Sequence, residues 1–353
     1  MATQSFTAQS KKISKKNKKE KFNKSLANKC EKLLGVEVSS MEYPGGYSRE
    51  SVRLILKNGP PVYASKRSQK YRADVERLVL KTLSEVGGNV PGLLAGDGEK
   101  LLIQEEVPGM RLSQVMHNKD DEMVLAHLDN AMGSLSRIQK SGSEQGLDTK
   151  VPVLGESRQW LVGLLDRPAV LGDFFEIPAP RPKLQEIESL LAFRRPRFVK
   201  WDARPGNAIV RDDDKVFWID WEHSGARNKL DDMVWLLADE FVPSTPSIEK
   251  KLLDKYLPYF ADDLSLEAAR RYFYVLGVFH SSVRLGLIMK YKKDGDWWNY
   301  EKCLSGDKAG VTLASVLRLC ERGERWARMN VETNVLSQWF NDMARKIEKI
   351  VVS

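Results

Sequence analysis

Phe198-Val199-Lys200-Trp201-Asp202-Ala203-Arg204-Pro205-Gly206-Asn207-Ala208-Ile209-Val210 is the stretch that decides the fold, together with its continuation Val216-Phe217-Trp218-Ile219-Asp220-Trp221-Glu222. Two short apolar runs, Asn207–Arg211 and Val216–Asp220, flank the tight polar turn Asp212-Asp213-Asp214. Runs of that length around such a turn predict a β-hairpin. A tight loop followed by a hairpin brings residues 202, 207 and 220 to one edge of a cleft. These residue types suit phosphoryl transfer, which asks for positioning and charge neutralisation more than covalent chemistry. One carboxylate must sit beside an acceptor hydroxyl to orient it and take its proton. A side-chain oxygen and a second carboxylate must hold Mg²⁺, a hard cation that takes oxygen ligands. Taken alone, Asp202 and Asn207 read as an ordinary turn, since Asp and Asn are turn formers. The hairpin and the Ile-Asp-Trp-Glu that closes it make the set more specific.

With those residues in view, the chain resembles the aminoglycoside phosphotransferase and choline kinase superfamily, whose pattern is H-G-D-x-x-x-x-N followed by I-D-[FW]-[GE]. The matching positions are Asp202, Asn207 and Ile219-Asp220-Trp221-Glu222. The resemblance implies an α+β, bilobal, protein-kinase-like fold, with a small antiparallel-sheet N-lobe and a larger, mainly helical C-lobe. It implies ATP and Mg²⁺ as cofactors, Asp202 as catalytic base, and Asn207 and Asp220 as magnesium ligands. Asp232 looks like the family's structural aspartate, bracing the catalytic loop. Arg204 is a candidate γ-phosphate or substrate contact, with a surface arginine as the plain alternative. The family's histidine two residues before the base is Lys200 here, which could pair with Asp202 or Asp220, reach phosphate, or signal decayed catalysis.

Upstream, Ser51-Val52-Arg53-Leu54-Ile55-Leu56 alternates as a half-buried strand does. Asn58-Gly59-Pro60 is a turn signal, and Val62–Lys66 reads as the return strand. Val75, Leu78, Val79, Leu83 and Val86 recur at helical spacing. Two further short strands, around residues 93–95 and 101–104, complete a small domain over residues 31–105. A kinase fold needs a glycine hairpin over the phosphates, a strand lysine and a helix glutamate. Gly45 and Gly46, Lys66, and Glu76 fill those places in that order, with Glu76 expected to pair with Lys66; Glu85 is a weaker candidate. A plain hairpin turn and a solvated lysine are the bland readings of the first two. By resemblance, Leu102–Gly109 is the hinge, and backbone near Glu105–Val107 would meet the adenine ring. From Glu122 onward the apolar period is mostly helical, as in the stripe Leu125, Leu128, Met132, Leu135 and Ile138.

The net charge of +8 belongs wholly to residues 1–30, which hold nine lysines and one acid, Glu20. The remainder is formally neutral, so a broad basic face for nucleic acid is not expected. With little apolar to bury, residues 1–30 read as a disordered, solvated arm; an anionic partner or a nuclear address are the alternatives. No apolar run approaches the roughly 20 residues of a membrane span. Three widely spaced cysteines, Cys30, Cys303 and Cys320, fit a reducing compartment and a cytoplasmic protein.

These features predict three segments: the arm (1–30), the N-lobe (31–105) and a helical C-lobe (106–353) with the catalytic loop and acceptor site. The expected activity is transfer of the ATP γ-phosphoryl group to a hydroxyl of an aminoglycoside, sugar or amino alcohol. Asp239, Glu240, Arg284, Trp297, Trp298 and Tyr300 are acceptor-site candidates, with packing as the plainer role of the tryptophans. His280, on an apolar helix, is expected to be structural. The alternative reading is a weak or inactive kinase-like protein that binds nucleotide or acts as a scaffold. A protein kinase is disfavoured, because no A-P-E signature lies between Asp220 and Asp232.

Overall fold

A computed structural model describes residues 24–44, 51–192, 195–293 and 295–352. The chain divides into two compact units, one of residues 1–77 and 92–106, the other of residues 78–91 and 107–353.

The smaller unit opens with a helix, α1 (24–34). The expected disordered arm therefore ends earlier than residue 30; its remainder, residues 1–23, lies outside the described residues. Leu26 and Cys30, one turn apart, share a face and are buried against the sheet, which is why these residues are ordered. Gly35, at φ +69°, ends the helix and donates its N–H to the carbonyl of Glu31 at 2.7 Å. The strands are β1 (Val38–Glu42), β2 (Ser51–Leu56), β3 (Val62–Lys66), β4 (Leu93–Gly96) and β5 (Leu101–Glu105). They form one antiparallel sheet in the order β1-β2-β3-β5-β4. Period-two alternation sends Val52 and Leu54 of β2 and Val62 and Ala64 of β3 into one core. Arg53, on the opposite face of β2, is held bidentately by Glu106 at 2.8 Å and by Glu42 at 2.8 Å. Helix α2 (Lys70–Glu85) follows β3.

The larger unit is mainly helical. Its N-terminal part holds β6 (Met110–Arg111), α3 (Leu112–Val115), α4 (Asp121–Glu144), α5 (Leu147–Lys150), α6 (Arg158–Leu165), α7 (Arg167–Phe175) and α8 (Leu184–Leu191). Short strands come next: β7 (Arg197–Val199), β8 (Ala208–Val210), β9 (Val216–Trp218) and β10 (Gly225–Arg227). Strand β8 pairs with β6 and β9, and β7 pairs with β10. The hairpin read from sequence is β8–β9. Helices α9 (Leu230–Leu237), α10 (Pro246–Phe260), α11 (Leu266–Lys292), α12 (Tyr300–Ser305), α13 (Leu313–Ala327) and α14 (Val335–Val352) complete the unit.

The stripe read for α4 is its buried face, with Leu128, Met132, Leu135 and Ile138 inside. Asp120 caps this helix by accepting the N–H of Met123 at 2.8 Å. By length and composition alone α11 is apolar enough to cross a membrane, although Arg284 interrupts its apolar run. Its most apolar window is 78% buried within the protein, as befits a helix whose apolar residues face other helices on all sides.

Candidate active site

The site is built where β7 hands the chain to β8. Strand β7 is fixed by Asp148, which accepts the Phe198 N–H at 2.7 Å, and by the stacking of Phe198 on Trp221. Asp232, on α9, accepts the N–H groups of both Lys200 and Trp201 at 2.8 Å. Gln139 of α4 donates to the same carboxylate at 2.8 Å. Burial pushes the Asp232 carboxyl up to about 6, although the Gln139 amide and the two backbone donors favour its charged form. The bracing expected of Asp232 is thus a set of three hydrogen bonds that fixes the start of the loop.

Lys200 is fully buried. Its Nζ donates to the carbonyl of Asp220 at 3.1 Å and to that of Asp202 at 3.5 Å. The ammonium also lies 5.1 Å from the ring centre of Trp221 and 5.8 Å from that of Trp218. A lysine in place of the family histidine therefore ties together the backbones that carry the two key aspartates.

Trp201, Asp202 and Asp220 all have positive φ, at +53°, +51° and +60°. Asp tolerates this region better than most residues, but a bulky tryptophan there is uncommon. Such geometry persists only where the surroundings over-determine it, and it concentrates at functional sites. Asn207, at the end of a 3₁₀ turn (Pro205–Asn207), is buried. Its Nδ2 donates to the Asp202 carbonyl at 3.0 Å and to Asp202 Oδ2 at 2.8 Å. Its own carbonyl accepts the Ile219 N–H at 2.9 Å, which locks the loop to the strand leading into Asp220. Residues 202, 207 and 220 are thus joined by one hydrogen-bonded frame.

Among the described residues, no group of three or more His, Cys, Asp or Glu side chains is gathered for a metal. Mg²⁺ needs no such cage, since it keeps waters and phosphate oxygens and takes one or two protein ligands. With the Asn207 nitrogen committed to Asp202, its amide oxygen is the atom left to face a cation. That oxygen and the Asp220 carboxylate are the hard donors such an ion requires.

In the smaller unit, Gly45 and Gly46 lie outside the described residues. Lys66 ends β3 and is exposed. Both oxygens of the fully buried Glu76 carboxylate accept from Arg67, Nε to Oε2 at 2.6 Å and Nη2 to Oε1 at 2.7 Å. Arg67 directly follows Lys66, the last residue of β3. Glu105 is exposed, and its Oε2 accepts the Gly92 N–H at 3.1 Å; Val107, in the larger unit, is half-buried.

Arg204 is held by two carboxylates. Its Nε binds Asp239 at 3.0 Å and its Nη2 binds Asp307 at 3.4 Å. Asp307 also meets Arg111 at 3.5 Å, and Arg111 donates to the carbonyl of Gly206 inside the loop. Asp239, Glu240 and Arg284, read as acceptor contacts, are buried in the same ionic cluster. Arg284 holds Glu240 bidentately at 2.6 and 2.8 Å. Burial alone would raise the Glu240 carboxyl, but Arg284 brings it down to about 2. Charges so deeply paired serve the architecture behind the loop, because freeing one would strand its partner. Tyr300 stacks on His117, and Trp298 packs near Tyr291. Nothing in local sequence marks Asp307, in the turn after α12, or Arg111, on β6, which meet the loop from distant parts of the chain.

The family model described as APH, phosphotransferase enzyme family, matches residues 41–269. No curated protein matches the chain in sequence. Among solved structures, choline kinase from Streptococcus pneumoniae superposes with a TM-score of 0.51 at 14% identity, covering 93% of this chain and 99% of that one. Aminoglycoside 2'-phosphotransferase-IIIa, solved with GDP, gives 0.51 at 15% identity, covering 82% and 94%. Macrolide 2'-phosphotransferase from Brachybacterium faecium gives 0.50 at 15%, covering 76% and 92%. Identities this low speak for the kinase-like fold. The family match extends over well more than half of the chain and takes in Lys66, the braced loop and Asp220, and on that ground the chain belongs to the phosphotransferase enzyme family.

Proposed function

We propose that the protein is a magnesium-dependent small-molecule kinase that moves the γ-phosphoryl group of ATP to a hydroxyl of its acceptor. The observation that carries this reading is the bond from Asn207 Nδ2 to Asp202 Oδ2 at 2.8 Å. It orients the carboxylate and leaves the other oxygen for the acceptor hydroxyl. As the acceptor oxygen bonds to the γ-phosphorus and the bridging P–O bond breaks, Asp202 takes the hydroxyl proton. Asn207 and Asp220 hold the Mg²⁺, which when bound neutralises charge on the phosphates. Lys66 binds the α and β phosphates, with Gly45 and Gly46 contributing backbone N–H groups. Backbone near Glu105 and Val107 receives the purine. Glu76 fixes β3 through Arg67, and Arg204 acts as a positioning residue behind the loop. The three cysteines are free and buried, in keeping with a cytoplasmic setting.

The scaffold reading rested on Lys200. A fully buried lysine that binds both aspartate backbones is a working part of the loop, which favours an active enzyme over a decayed one.

Thermal-shift titrations with ATP and with GTP, each with and without Mg²⁺, test this. A nucleotide at 100 times its Kd should stabilise the wild type by about 2.7 kcal/mol. The magnesium-dependent part should vanish in Asp220→Ala. No shift with either nucleotide would return the protein to the scaffold reading.

A further inference from the structure

A cavity of about 370 Å³ opens beside the catalytic loop, entirely within the larger unit. Its walls are aromatic: Trp160 of α6, Trp201 of the loop, Trp235 of α9 and His280 of α11, with Leu276 adding apolar surface. The rings form a continuous series. Trp160 and Trp201 are 6.1 Å apart, Trp201 and Trp235 5.5 Å, and Trp235 and His280 4.3 Å. This volume and character are those of a small-molecule site. Trp201, the residue before Asp202, joins the cavity wall to the loop. The positive φ of Trp201 gains a purpose here, since it accompanies the presentation of the indole to the cavity.

Two features define the occupant. The first is His280, only 6% exposed, whose Nε2 has no hydrogen-bond partner. An imidazole nitrogen buried without a partner is costly unless a ligand supplies one. Burial, reinforced by the nearby Arg284, depresses its pKa to about 3, so the ring is neutral and offers Nε2 to a single polar group. The second is charge. No carboxylate lines the cavity among the described residues, and the one charged residue in its wall is Arg167. The guanidinium of Arg227 already lies 4.1 Å from the ring centre of Trp160 and 5.7 Å from that of Trp201. Cation–π attraction at those rings is therefore partly used, and the carboxylate that balances Arg227, Asp231 at 2.5 Å, is already committed to it, so a cationic ligand would find no free counter-charge in the wall.

We propose that this cavity is the acceptor pocket, and that it takes an uncharged alcohol with an aromatic or branched apolar body, anchored by one neutral polar group at His280. The assignment rests on the kinase reading above. It departs from the aminoglycosides and amino alcohols expected from sequence, because a polycation or a quaternary ammonium finds no counter-charge here.

Charge can be isolated with an isosteric pair. In 3,3-dimethyl-1-butanol a carbon replaces the ammonium nitrogen of choline at nearly constant shape. Binding to the full chain is followed by saturation-transfer NMR, with 2-phenylethanol as an aromatic probe and kanamycin as competitor. The neutral alcohols should bind at least about tenfold more tightly than choline, and kanamycin should not displace them. His280→Phe should weaken a probe that engages Nε2 about fivefold. Gly163 of α6 lines the cavity, and a Cβ built there meets nothing within 4 Å. Gly163→Leu should therefore keep or raise the unfolding temperature while abolishing binding. Choline binding as well as its carbon isostere, no saturable binding by either alcohol, or undiminished binding in Gly163→Leu would each overturn the proposal. Nucleotide shifts are measured separately, so Mg²⁺-ATP binding without alcohol binding sinks the pocket alone. Alcohol binding without any nucleotide shift sinks the kinase reading.

Discussion

At the scale of single residues, the catalytic loop rests on few atoms. Asp202→Asn removes the proton acceptor while keeping the shape, so turnover should fall by about 10²–10⁴-fold with nucleotide binding retained. Turnover of ADP release close to wild type in that variant would dismiss Asp202 as the base. Asp232 makes a pH prediction. Its folded pKa is about 6, above the roughly 3.9 of an unfolded aspartate. Between those values the folded state holds the proton more often than the unfolded state, so this group's contribution to stability falls as pH rises from about 4 to 6. It is level above that window. The difference in unfolding free energy between wild type and Asp232→Asn, measured by urea titration across pH 3.5–7.5 (about one Asp window), should follow that descent. A flat difference would mean that Asp232 is not held in the environment described.

At the scale of elements, close packing of α11 on α13 sets the limits of change. A Cβ on Gly277 would come within 2.4 Å of Cε3 and 2.5 Å of Cζ3 of Trp326. The ring cannot readily retreat, because Trp326 is buried and its Nε1 donates to Glu249 at 2.8 Å. Replacing a mid-helix glycine by alanine gains up to about 1 kcal/mol of propensity. Overpacking typically costs about 1–3 kcal/mol and should win here. Gly277→Ala is therefore expected to be destabilised by about 1–2 kcal/mol in chemical denaturation. A more stable variant would show that the helices can part at no cost. The elements themselves were largely legible in the sequence: β2 from alternation, β3 as the return strand after a turn signal, α4 from its stripe, and β8–β9 from two short runs around three aspartates. Helix α1 was missed because its lysines outweigh Leu26 and Cys30 in composition, whereas burial depends only on the face those two share.

For the molecule as a whole, formal charge and fold are separable. Residues 1–30 carry the net charge, yet the apolar contacts of α1 begin at Leu26. Removing residues 1–20 should leave the unfolding temperature and the magnesium-dependent nucleotide shift unchanged. A marked drop in either would show that the lysine-rich segment belongs to the folded body or the site.

By itself, the sequence determined the order and local geometry of the phosphotransfer elements. Loop, turn and strand conformations depend on neighbouring residue types, so the hairpin after Asn207 could be read locally, and Asp202, Asn207 and Asp220 stood out by their resemblance to the family pattern. Which side chains meet was decided only by the tertiary structure. Glu76 is fully buried and its carboxylate accepts from Arg67, a contact between a helix and the residue that follows a strand. Asp239, Glu240 and Arg284 left the expected acceptor site for a buried ionic cluster. The aromatic cavity gathers residues 160, 201, 235 and 280 from four separate segments. Contacts across such separations carry no local signature, because they exist only once the helices have packed.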